Sequence, residues 1–479
     1  MGTRHVVILQ PGNFEAEQHY YPRVLNTSLH PLVKGFLGLG NTRIAERYHH
    51  LNPRVNRDAI WNVLTHKPKH LRWAGADLFC VTNDAGLRKV VVIELNSCPS
   101  GQKSSPLLND EIDQGGYRRL LEKAFIPGLK RRSLPEGGLA VLYDKNKMEA
   151  SGYASCLADI TGKEVYLVPF FAEDEDPPAR FVDGVLEIRH PDGNWLPIRA
   201  ALRYVTQHPW SRIPPITKTY LFNPVLGCLA GGRNKMLAAK AYDFFNAEHT
   251  ESGLAIRTPE TIWDVSLGEV PMWVKRMGGI AVVKNPYSNA GQGVYTITRQ
   301  EELDNFMQLE HSYDRFIVQS LIGNSNWSSI SSRERLYHVG TVPDKKNRIF
   351  VADLRFMLGG SDEGFFPVAI YARRAGQPLA ANLDQVDDSW GMLGTNLSYK
   401  DENGDWQSHS DRLMLMDNRD FNRLGIGLDD LIESYMQTIQ AAIAVDNMAI
   451  SLVSSKGKFN RRVFKSLNTD ERLLAEICH

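Results

Sequence analysis

The chain has 479 residues, and its 55 Lys and Arg balance 55 Asp and Glu, so the formal charge is zero. That balance argues against a protein that coats nucleic acid or an anionic membrane. Hydrophobic residues at 43 % and charged residues at 23 % match a folded globular chain, and the length suits about three domains. No apolar run approaches the roughly 18 residues of a membrane span, and the apolar stretch 6–9 is too short for a signal-peptide core. Cysteines at 80, 98, 156, 228 and 478 are odd in number and form no Cys-x-x-Cys. They point away from a disulfide framework or structural zinc and toward a reducing cytoplasm.

Residues 27–66 are mixed polar and helical in character, with a loop at Leu51-Asn52-Pro53. Within this stretch the P-loop pattern nearly occurs from Gly35 to Gly40, but Asn41 stands where the phosphate-binding Lys belongs. His49-His50 lacks metal-ligand spacing and suits a solvated surface. Residues 76–82 and 89–95 are β-rich and flank Asn83-Asp84-Ala85-Gly86, a hairpin turn. The second strand ends in Glu94-Leu95-Asn96. Positions i and i+2 on a strand face one side, so Glu94 and Asn96 can point at one hard cation, with Asp77 on the neighbouring strand as a third oxygen ligand. The same residues also suit a plain strand end in water. Cys98 reads as a packed, inert thiol.

A strand at 139–143, a helix at 149–160 and a strand at 164–168 form an open α/β layer, followed by an acidic loop at 173–178. Helical periodicity returns at 237–245. From 280 to 297 two strands flank a small-residue turn, with Lys284 before it and Ser288, Gly291 and Gly293 within it. Backbone N–H groups in such a turn can approach phosphate oxygens, although a plain hairpin has the same composition. The strand 315–323 interrupts its apolar run with Gln319 and continues through Leu321 and Ile322, offering backbone groups to a base edge. Asp353 and Arg355 share a strand face, Arg373 ends the next strand, and arginine forks suit oxyanions. The chain closes on an amphipathic helix from Leu428 to near Met448.

The order of Lys235 and Lys240 on a helix, Lys284 before a glycine turn, Gln319 to Ile322, Asp353, Arg355, Arg373 and Asn396 resembles the ATP-grasp superfamily of ADP-forming ligases. In that superfamily the Asp and Glu-x-Asn strands come last, whereas here Asp77, Glu94 and Asn96 come first. The chain therefore resembles the circularly permuted members. The resemblance implies an α/β (α+β) fold, a permuted ATP-grasp unit with an additional α/β pre-ATP-grasp-like domain. Its implied divisions are 1–130 with the relocated hairpin, 131–230 as the added domain, 231–325 as the lid and 326–479 as the core with C-terminal helices.

It further implies ATP and Mg2+, or Mn2+ in its place, with Asp77, Glu94 and Asn96 on the metal. Lys284 and Lys240, preferred over Lys235, would contact phosphates. Ser288, Gly291 and Gly293 would close over the triphosphate, Gln319, Leu321 and Ile322 would line the adenine pocket, and Arg355 and Arg373 would serve the transferring phosphoryl group. The implied reaction is ATP-dependent ligation of a small-molecule carboxylate and amine, with an amino acid or short peptide as substrate, in a cytoplasmic enzyme. It involves neither nucleic acid nor membrane and is compatible with a homo-oligomer. Phosphorylation of a small molecule without ligation, and nucleotide binding without catalysis, are the alternatives.

Overall fold

The computed structural model describes residues 4–108, 112–130, 133–205, 210–288, 293–384, 386, 388–400 and 406–477. They form a mixed α/β structure with three main sheets. No helix among the described residues is long and apolar enough to cross a membrane.

The first sheet is built on parallel strands Gly138–Tyr143, Val165–Pro169 and Trp195–Tyr204, with Tyr220–Phe222 parallel to the last. Val7–Leu9 adds antiparallel to Val165–Pro169, so the N-terminal segment closes this layer. Strands buried on both faces need near-continuous apolar sequence, and Val165–Pro169 and residues 139–143 supply it. The helix Lys147–Thr161 crosses from Gly138–Tyr143 to Val165–Pro169, whereas Trp195–Tyr204 lies on the other side of Gly138–Tyr143. Strand order therefore reverses beside Gly138–Tyr143, and such a reversal opens a crevice at the carboxyl ends of the strands.

The second sheet is antiparallel, in the order Thr261–Ser266, Arg315–Ser320, Ala281–Lys284, Val294–Ile297. It has its own small core around Val265, Val274, Val283, Phe306 and Phe316. The third sheet carries the hairpin. Trp73–Asn83 pairs with Arg88–Ser97 on one edge, and with Ile349–Ser361 and Leu336–His338 on the other. Gly364–Arg374 and Leu413–Met414 extend it. The hairpin expected at 76–82 and 89–95 thus joins the sheet that holds Asp353, and both strands run longer than the β-rich runs alone suggested.

The helix Leu428–Ser451 packs against Arg88–Ser97 and the helix Lys235–Glu248. Its apolar stripe Leu431, Ile432, Tyr435, Met436, Ile439 and Ile443 is buried. Asp430 accepts the Gly427 N–H at 2.8 Å and closes the first turn. Polar side chains on the same helix pin the sheet. Gln437 accepts the Arg257 N–H at 2.7 Å. Asp446, fully buried, accepts N–H bonds from Lys69 at 2.8 Å and from His70 and Leu71 at 2.7 Å, just ahead of the hairpin.

Burial opposes the Asp446 charge, but the His66 ring and the three backbone donors outweigh it and hold this carboxyl below the usual range. A depressed carboxylate contributes stability above its unfolded pKa and loses it as pH falls through its folded pKa. Asp446→Ala should destabilise the fold by about 2 kcal/mol or more, because three backbone donors, that of Leu71 buried, lose a charged acceptor. Urea unfolding at neutral pH measures the loss, and the gap between wild type and variant should narrow as the pH is brought below about 4.

Candidate active site

The three sheets enclose a cleft of about 1090 Å³. On its floor Glu94 is opposite Asp77, Asp77 opposite Arg355, and Arg355 opposite Tyr371. Residues in register across antiparallel strands share a face, so these four form one row over four strands. Asp353 opposite Arg373 forms a second row two residues along, and all six line the cleft. A bulge between Asp77 and Leu78 leaves Ile93 as the extra residue beside Glu94, a device that re-aims side chains next to sites.

Arg355 grips Asp77 with Nε and with Nη2, the latter at 2.8 Å. Arg373 Nη2 reaches Asp77 at 3.0 Å and grips Asp353 with Nε at 3.0 Å and with Nη2. Thr395 donates to Asp353 at 3.0 Å. Burial would neutralise Asp77, but Arg355 and Arg373 overcome it and hold the carboxyl below its ordinary range. Each guanidinium thus uses Nε and Nη2 on carboxylates. Among the described residues Arg355 Nη1 has only a long contact, 3.5 Å, to the Ser100 carbonyl.

Glu94 sits 3.2 Å from Lys235 Nζ, which also donates to the Ser288 carbonyl and hydroxyl at 3.0 Å each. Asn96 accepts from Arg233 at 2.8 Å, and its amide nitrogen is buried without a hydrogen-bond partner among the described residues. The strand then turns through Cys98, at φ 53°, into a loop that crosses the floor. There the Ser100 carbonyl accepts from Tyr371 at 2.8 Å. Gly101 has φ +140°, and a Cβ on it would come 2.2 Å from the Tyr371 ring, so only glycine fits. The Glu149 carboxylate, on the helix Lys147–Thr161, accepts the Gly101 and Gln102 N–H groups at 3.0–3.1 Å and ties this loop to the first sheet.

The donors suit a hard divalent cation in kind, two carboxylates and an amide oxygen on adjacent strands. They differ in availability. Both Asp77 oxygens face arginines and the Asn96 oxygen faces Arg233, whereas Glu94 has an oxygen with no hydrogen bond among the described residues. Glu94 is therefore the carboxylate open to the cleft. Among the described residues no group of three His, Cys, Asp or Glu forms a ready-made metal cage.

Lys284 lines the cleft, donates to Gln319 at 2.7 Å and is pulled down to about 8, chiefly by burial, with Glu94 opposing. Gln319 donates in turn to Thr261 at 2.8 Å. The preference for Lys240 is corrected. Lys240 donates to the Leu467 carbonyl at 2.7 Å and lies over the Trp263 ring, outside the cleft. Five residues at about 100° each put it on the far side of the helix from Lys235, and Lys235 takes the cleft position. Ser288 is buried and bonded to Lys235. Gly293 has φ +65° and its carbonyl accepts the Asn285 N–H at 2.7 Å, while Gly291 lies outside the described residues.

Leu321 and Ile322 line the cleft, but the Leu321 backbone is not the free edge expected. The Leu321 N–H and carbonyl both bond Ser329. Their side chains face the cleft together with Phe79, Val282 and Trp390. His338, packed edge-on to Phe79 and kept neutral by burial at about 4, was not foreseen, nor was Arg233. Arg233 had a signal, since it directly precedes the Asn234 cap of the helix that aims Lys235. The acidic loop is also more than solvated, because Glu173 lines the cleft and pairs with Arg4 at 3.1 Å.

No family model and no curated protein matches the chain. Among solved structures it is similar to a glutathione synthetase-like effector from Globodera pallida, at 9 % identity and a TM-score of 0.39, covering 73 % of this chain and 86 % of that one. It is also similar to a RimK domain ATP-grasp protein from Sphaerobacter thermophilus, at 14 % identity, TM-score 0.29, covering 49 % and 90 %. A third is D-alanyl-alanine synthetase A from Vibrio cholerae, at 10 % identity, TM-score 0.30, covering 64 % and 98 %. Likeness at this level assigns neither activity nor substrate.

Removing Asp77 leaves two buried guanidinium groups short of a partner. Asp77→Ala should cost about 3–5 kcal/mol, and the double variant Asp77→Leu/Arg355→Met should recover part of that loss. Chemical denaturation of the three proteins checks the order.

Proposed function

We propose that the chain is an ATP-dependent ligase of the circularly permuted ATP-grasp type, joining a small-molecule carboxylate to an amine and releasing ADP and phosphate. The observation that carries this reading is the row Glu94, Asp77, Arg355, Tyr371. A hairpin that precedes the lid sheet in sequence supplies half of a charged floor whose other half comes after that sheet. On this reading the divisions near 130, 230 and 325 separate the hairpin-bearing segment, the α/β layer, the lid and the core.

The triphosphate would lie between the two lysines and the floor, with Lys235 and Lys284 neutralising phosphate oxygens and the base against Phe79, Leu321, Ile322 and Trp390. A divalent cation, Mg2+ or Mn2+, would be held by Glu94 with Asp77 and Asn96, and would neutralise charge on the phosphates. A substrate carboxylate oxygen attacks the terminal phosphorus, the bond to the bridging oxygen breaks and ADP leaves. The amine nitrogen then attacks the acyl carbon, and the carbon–oxygen bond to phosphate breaks. No protein nucleophile is needed, because positioning and charge neutralisation lower both barriers. Arg355 and Arg373 are held rigid by Asp77 and Asp353, so each Nη1 is pre-aimed for an oxygen that gains charge.

Incubation with ATP, magnesium and single amino acids or short peptides, with hydroxylamine in place of the amine, should yield ADP, phosphate and a hydroxamate identified by mass. A stable phosphorylated product that never becomes an amide would favour the phosphotransferase reading, and AMP with pyrophosphate would contradict both. Glu94→Gln should lower turnover at least about a hundredfold with an unchanged melting profile. Lys284→Ala should weaken ATP binding about tenfold or more through one lost charge-assisted hydrogen bond.

A further inference from the structure

Beyond the nucleotide half, the cleft runs on past the Ser100 loop to the crevice where strand order in the first sheet reverses. Its walls there carry Lys103, Lys145 and Lys147. Lys145 lies two residues past the carboxyl end of Gly138–Tyr143, and its ammonium stands 5.1 Å from the Tyr204 ring centre, at the end of the neighbouring parallel strand. Lys103 comes from the loop after Asn96 and donates to Asn146 at 3.2 Å. Asn146, in the left-handed conformation, does not cap the helix behind it and donates instead to the Ser100 hydroxyl at 2.8 Å.

The acidic groups nearby are already engaged. Asp144 pairs with Arg212 at 3.0 Å, Glu173 with Arg4, and Glu149 with backbone N–H groups of the loop. Among the described residues none of the three lysines has an ion-pair partner. All three line the cleft beside the Ser100 loop; Glu149 acts at a distance on Lys103 and Lys145, and Asp144 on Lys145, but their carboxylates are bonded elsewhere. Lys103 and Lys145 are half-buried and Lys147 is exposed, and cationic side chains grouped on one wall of a cleft draw anions to it.

We propose that this end of the cleft is an anion subsite, in which Lys103, Lys145 and Lys147 hold a carboxylate of one of the two small-molecule substrates other than the carboxylate being activated. The proposal rests on the ligase reading above and narrows its substrate class. Either the acid is at least a dicarboxylic compound, or the amine is an amino acid with a free carboxylate. Burial pulls Lys145 down to about 7, Arg233 adds to the fall, and Asp144, Cys98 and Glu149 oppose it. An anion seated beside it restores its charge, so binding takes up a proton and weakens as pH rises through neutrality.

Binding is tested without turnover, using glutarate as the probe and the full chain with its lysines carrying 13C-methyl labels. The Lys145 signal, assigned with Lys145→Arg, should titrate near neutrality in the free protein, and its midpoint should rise by about one pH unit or more when glutarate is added. Lys145→Met should bind glutarate at least about tenfold more weakly, and 1,5-diaminopentane should leave the signal unmoved. A Lys145 signal that ignores glutarate, or equal binding by Lys145→Met, overturns the subsite.

Turnover then separates the two sources. A hydroxamate formed from glutarate but not from butyrate assigns the carboxylate to the acid. An amide formed from butyrate with glycine, but not with ethylamine, assigns it to the amine. Equal turnover with partners that lack the extra carboxylate overturns the proposal. If glutarate binds at Lys145 while none of these acids, nor any amino acid or short peptide, supports ADP release, the ligase reading fails and the anion site stands.

Discussion

Asp77 is the residue on which the site is built. It lies 278 residues from Arg355 in sequence yet bonds it across a strand pair, and it shares Arg373 with Asp353. Two carboxylates and two guanidinium groups make a cluster of zero net charge in a buried floor. Such a cluster is a weak contributor to net stability, because desolvation offsets much of the attraction. Its use lies in geometry, since every member has its orientation set by two or more charge-assisted bonds. Glu94 stands outside this balance, at the end of the row, with Lys235 as its neighbour.

The loop from Cys98 to Ser104 joins this floor to the rest of the molecule. It starts at the strand end that carries Glu94 and Asn96, passes under Arg355 and Tyr371 at Ser100, and is held by Glu149 from the first sheet. Burial raises the Glu149 carboxyl, with Lys103, the Gln102 and Gly101 N–H groups and Lys145 opposing. One side chain of the α/β layer thus sets the path of a segment that begins just after Glu94 and Asn96. The end of the cleft with Glu94 and Arg355 and the end with the lysines share that segment as a wall.

Much of the fold was legible because its signals are local. Alternating and apolar runs with a turn between them marked the hairpin, and three- and four-residue apolar spacing marked the helix from Leu428. Glu94 and Asn96 were legible as a pair because i and i+2 on a strand share a face whatever the strand pairs with. The lysine on the helix from Lys235 was misjudged, because which side of a helix meets the cleft depends on what packs against the other side. The backbone at Leu321 was misjudged for a similar reason, since Ser329 reaches it only once the chain has turned back.

Composition, charge balance and short-range spacing were enough to determine an α/β chain, a hairpin ending in Glu94 and Asn96, and the strands that bear Asp353, Arg355 and Arg373. Each of these follows from backbone periodicity within a dozen residues. The tertiary structure alone decided that Asp77 is gripped by Arg355 instead of standing free, that Lys235 faces the cleft and Lys240 does not, and that Lys103, Lys145 and Lys147 line the same cleft. Those outcomes depend on the register of strands and the crossing of segments far apart in the chain. Charge and hydrogen-bond partners are settled by distance in space, and a linear sequence carries no record of that distance.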